Sequence, residues 1–144
     1  MHLQYDGYSC GAVSLANAVR VLGGILDVET AKTLAGTTYR NGTSRQGIIR
    51  GLTALGYRAT PYHSRNPDNA WKWLKKHAAR TPIIALADHQ EHWVVFSGAI
   101  NDKIILIDGS PVEGDNGVEA IGKQSVLDRL NHLGHYYCIR AEIG

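Results

Sequence analysis

Apolar positions recur at helical spacing through the first half of the chain and collapse into short, branched runs through the second. Ser9 stands as N-cap before a helix over 10–22, with Val13, Leu15, Ala16, Val19 and Leu22 on its apolar face and Gly23-Gly24 to end it. A shorter helix follows Asp27 and stops at Gly36. A third runs from the Ser44 cap through Ile48, Ile49, Leu52 and Leu55 to Gly56. After a strand at 57–62, Asn66-Pro67 supplies a cap and a first-turn proline for a helix burying Trp71, Leu74 and Ala78.

From Pro82 onward the period changes. Residues 83–86, 92–96 and 103–107 are apolar runs rich in branched side chains and separated by turn residues such as Asn101-Asp102, which predicts an antiparallel meander. A loop rich in glycine and acid, Gly109 to Gly117, leads to a helix capped by Ser125 with Val126, Leu127, Leu130 and Leu133 inward, and then to a strand at about 135–143. Helices first and strands second is the order of an α+β fold. A helical lobe packed on a sheet lobe, divided near residue 80, is the expected arrangement.

Composition narrows the class. With 144 residues, 44% of them hydrophobic, the chain suits one domain over 1–144. No apolar run approaches the roughly 20 residues of a membrane span. Cys10 and Cys138 are two thiols rather than a disulfide framework, and the start of the chain has neither the basic nor the apolar region of a signal peptide, so a cytoplasmic location is expected. The net charge of +2 hides a split: residues 1–80 hold 11 basic and 4 acidic side chains, residues 81–144 hold 4 and 9. The basic residues are dispersed, without finger spacing or an aromatic ladder, so nucleic acid is not the expected partner. Across a boundary between lobes, the same split would orient a substrate by charge.

Cys10 is the sharpest chemical signal. A thiolate in the first turn of a helix is stabilised by unsatisfied N–H groups, which makes it a nucleophile. Gly11 leaves the backbone open to an approaching carbonyl, and Gln4 offers an amide donor for an oxyanion hole. His92 opens an apolar strand and is held rigidly as a general base. Asp108, 16 residues on at the end of the next strand, returns beside it to hold the ring through Nδ1. His89 with His92, and His132, His135 and Cys138 at spacings of three, allow a zinc site on paper, but the second set straddles a predicted helix end and strand, and no metal or other cofactor is expected. Cys138 reads as a packed strand residue. Trp93 either flanks His92 or fills the core, and Trp71 and Trp73 cannot share one helix face.

The segments Gln4-Tyr5-Asp6-Gly7-Tyr8-Ser9-Cys10-Gly11-Ala12, His92-Trp93-Val94-Val95 and Ile107-Asp108 together resemble the C39-type, bacteriocin-processing-like cysteine peptidases of the papain-like class. That resemblance implies a papain-like fold, Cys10 as nucleophile, His92 as base and acid, Asp108 as its orienter and Gln4 as oxyanion donor. The implied reaction is hydrolysis of a peptide or amide bond in a peptide or protein substrate through a thioester. The same thiol chemistry serves an acyl transferase or a deconjugase, and the same fold serves a module that binds a peptide without cutting it. Gly23-Gly24 is read as a helix end rather than as a self-cleavage site.

Overall fold

The computed structural model describes residues 8–90, 92–109 and 117–144. Helix α1 spans Cys10–Val21, α2 Val28–Ala35, α3 Arg45–Ala54 and α4 Pro67–Ala78. Three of the expected caps are made by side chains: Asp27 accepts from the Thr30 amide, Ser44 from Gly47 and Asn66 from Asn69. Ser9 occupies the cap position of α1 but makes no side-chain capping bond. Gly23, Gly36 and Gly56 follow the first three helices with φ of 90°, 65° and 86°, a region that costs glycine little. At Gly47 the helices α2 and α3 touch so closely that a Cβ would collide with the Ala35 carbonyl.

Among the described residues, six strands form one antiparallel sheet: β1 (Tyr57–Ser64), β2 (Ile83–Ala87), β3 (His92–Ile100), β4 (Lys103–Ile107), β5 (Val118–Gly122) and β6 (Tyr136–Ile143), in the order β1-β6-β2-β3-β4-β5. The meander is present and gains a fourth strand, β5, where no strand was expected. The loop expected over 109–117 lies mostly outside the described residues. Helix α5 spans Lys123–Leu130 with Gly122 at its cap, so Ser125 sits inside the helix rather than before it. Leu133 is not a core residue. It projects from a turn at φ 52° and is 82% exposed.

Alternation along the central strands builds a core on each face of the sheet. Ile84, Leu86, Trp93, Val95 and Ile139 pack with α1, α2 and α3, whereas Ile83, Ala85, Val94, Phe96 and Cys138 pack with α4 and α5. Each fully buried aliphatic side chain contributes about 1.5–3 kcal/mol. The fold is therefore α+β as expected, with helices on both faces. The division near residue 80 needs correction, because β1 from the first part is zipped to β6 from the second. Ion pairs also cross it, Lys75 to Asp102 at 3.3 Å and Lys123 to Asp68 at 2.9 Å. The charge split is thus partly neutralised within one body instead of facing itself across a groove. Among the described residues no helix is long and apolar enough to cross a membrane.

Candidate active site

Three elements end at one corner. Cys10 is the first residue of α1, His92 is the first of β3, and Asp108 directly follows β4. The register of β3 and β4 pairs Val95 with Ile107, which returns Asp108 alongside the start of β3. His92 Nε2 and Asp108 Oδ1 are 2.7 Å apart, and both side chains are about 15% exposed. The ring is thus held through Nε2 rather than the expected Nδ1, and Nδ1 is the nitrogen left for the thiol of Cys10, which also interacts with the ring. Burial works against a charged imidazole. The hydrogen bonds and negative charge of Asp108 and Cys10 outweigh it and raise His92 to about 9. At neutral pH this ring carries its proton. Gln4 lies outside the described residues.

Cys10 is 9% exposed and opens into a cleft of about 480 Å³, lined also by Tyr8, Arg40, Arg45, Gln90 and Trp93. The space in front of Gly11 is not left for a carbonyl, as expected from sequence; a Cβ there would strike the Thr43 side chain. Gly11 is instead a packing glycine that seats α1 against Thr43, just after the 39–41 turn. Trp93, left open by the sequence, is 4% exposed and donates its indole N–H to the Thr43 carbonyl at 2.9 Å, so it is both core and cleft wall. A second cavity of about 650 Å³ shares Ser44, Arg45 and Trp93 with the first and continues towards Tyr62 and Tyr137.

Arg129 and Asp88, both at this corner, carried no signal in the sequence. Arg129 on α5 donates from Nη1 to Asp108 Oδ2 at 3.2 Å, and from Nη2 and Nε to the Asp88 carboxylate at 2.9 and 3.3 Å. Arg129 is 21 residues from Asp108 and on another element, so no spacing rule links them. Cys138 is 3% exposed and burial pushes its thiol up to about 12, as suits a packed strand residue. His63 Nε2 meets His135 Nδ1 at 2.8 Å, the His89 and His132 rings lie 6.1 Å apart edge to face, and His77 packs against Trp73. Among the described residues, no group of three or more His, Cys, Asp or Glu side chains is arranged to hold a metal ion.

Several solved structures share this architecture. A double glycine motif protease from an AMS/PCAT transporter, in complex with the leader peptide, superposes with a TM-score of 0.75 at 20% identity, covering 99% of this chain and 89% of that one. The peptidase domain of Streptococcus ComA, a bi-functional ABC transporter involved in a quorum sensing pathway, gives 0.75 at 18% identity over 99% and 97%. The N-terminal peptidase C39 like domain of a toxin secretion ATP-binding protein from Vibrio parahaemolyticus gives 0.58 at 12% over 96% and 100%. No curated protein matches the sequence. The model of the Peptidase C39 family matches residues 1–128, including the three positions that meet at this corner, and the chain belongs to that family of cysteine peptidases.

Proposed function

We propose that the protein hydrolyses a peptide bond through Cys10, His92 and Asp108. The observation that carries this reading is the half-buried 2.7 Å contact between His92 and Asp108 beside a cysteine at a helix N-terminus. The imidazolium stabilises the Cys10 thiolate, which attacks the substrate carbonyl. Negative charge develops on the carbonyl oxygen, where Gln4 serves as donor. His92 then gives its proton to the leaving amine, a thioester remains on Cys10, and water activated by the neutral imidazole releases the acid and restores the thiol. Asp108 holds the ring in the orientation both transfers need. A peptide is the substrate class that suits a cleft running past Trp93 into a second cavity, and the leader peptide held by the similar double glycine motif protease is of that class.

The test is a substrate trap. Cys10→Ala protein incubated with the peptides of a lysate should retain an uncut peptide that the wild-type protein converts to two fragments. Recovery of the same intact peptide from both would sink the reading in favour of a binding module. Fragments carrying an added amine in place of water would assign acyl transfer.

A further inference from the structure

We propose that Arg129, anchored by Asp88, is a positioning residue that aims Asp108 at His92. This rests on the reading of Asp108 as the partner of a catalytic His92. The two oxygens of Asp108 are divided between two cations: Oδ1 faces His92 Nε2 at 2.7 Å and Oδ2 receives Arg129 Nη1 at 3.2 Å. A guanidinium on Oδ2 restricts rotation of the carboxylate about its Cβ–Cγ bond and so steadies the edge that Oδ1 presents to the ring.

The guanidinium is itself held. Its Nη2 and Nε form a fork on the Asp88 carboxylate, and the Arg129 carbonyl accepts the Asp88 amide at 2.9 Å. Asp88 begins a run of three non-glycine residues, Asp88, His89 and Gln90, at φ 51°, 60° and 67°. Such a run is costly and persists where the surroundings enforce it. The same run brings Gln90 to the cleft wall. Arg129 therefore ties the turn after β2, the end of β4 and helix α5 into one frame behind the reacting corner. Its planar fork spans two carboxylates, which the single ammonium of a lysine does not. Among the described residues, the charged and titratable groups that meet here are Cys10 from α1, His92 from β3, Asp108 after β4, Asp88 after β2 and Arg129 from α5, with His89 in the Asp88 turn and His132 beside it.

Removing the guanidinium takes away a positive charge that Asp88 and Asp108 share, so the negative charge of Asp108 acts more strongly on His92. The ring then holds its proton more tightly while its partner aims less well. The experiment follows alkylation of Cys10 by iodoacetate, whose negative charge is drawn by the imidazolium, so that its rate falls as the ring loses its proton. Arg129→Gln should move that fall about one pH unit higher and lower the neutral-pH rate on the order of tenfold. Arg129→Lys should return the fall to its wild-type pH and recover part of the rate. Asp88→Asn, which keeps Arg129 but unanchors it, should lower the rate with a smaller pH shift.

Thermal unfolding of each variant identifies any that does not fold, and the lysine and asparagine variants then carry the test. A loss of rate in Arg129→Gln without a pH shift, and without rescue by lysine, would overturn the proposal as a merely structural effect. Asp108→Asn, measured alongside, separates the two readings. If it matches wild type, the reading of the site fails. If it lowers rate and pH limb while Arg129→Gln and Asp88→Asn match wild type, the brace alone fails.

Discussion

His92 carries the pH behaviour of the site. Its folded pKa of about 9 lies above the ordinary 6.5, so it keeps its proton through neutral pH and loses it as pH rises through about 9. Alkylation of Cys10 by iodoacetate should therefore be fast near pH 7 and fall above about pH 9. Replacing Asp108 by Asn removes the opposite charge, and the fall should move to lower pH. The stability that the pair contributes follows the same sign, present in full below about 6.5 and lost on the alkaline side. The two thiols should separate cleanly: iodoacetamide should label Cys10 while Cys138, buried and raised to about 12, stays unmodified until the protein unfolds. Equal labelling of both in the folded protein would contradict this. That Cys10, His92 and Asp108 meet at one corner was legible because reactive residue types sat at the ends of periodic runs. Arg129 and Thr43 were not, because their roles are made by chain crossings that no local pattern records. Gly11 was legible as a necessary glycine but for another reason, since what it accommodates is Thr43.

At the scale of elements, the caps are the devices most easily tested. Ser44→Ala removes the bond to the Gly47 amide and should cost about 1 kcal/mol in urea unfolding. Gly47→Ala should cost more, about 1–3 kcal/mol, despite the better helix propensity of alanine, because its Cβ meets the Ala35 carbonyl and forces α2 and α3 apart. A stabilised Gly47→Ala protein would show that the two helices separate freely. The helices with side-chain caps and glycine ends were legible almost to the residue. The start of α5 and strand β5 were not, for physical reasons: β5 is an edge strand whose Val118, Glu119 and Ala120 are exposed, so burial leaves no alternating pattern to read. Ser125 resembled a cap only because its neighbours turn apolar after it.

At the scale of the whole molecule, one sheet with a core on each face explains why the halves are inseparable. Ile83 and Ile84 are adjacent on β2, fully buried, and point to opposite cores. Ile83→Ala and Ile84→Ala should each cost about 2–5 kcal/mol, and each variant should still unfold in a single transition by both circular dichroism and tryptophan fluorescence. Two separated transitions would mean that the cores are independent.

Strand β6 lies between β1 and β2 although it is made some 70 residues after the one and 50 after the other. While a ribosome is still making α5, the sheet has an open seam in its middle, with unpaired edges on either side and both cores unsealed. The sheet is thus completed only when the 136–143 segment inserts between β1 and β2. A fragment ending before that segment should gain structure when a synthetic peptide of β6 is added, closing the seam from outside.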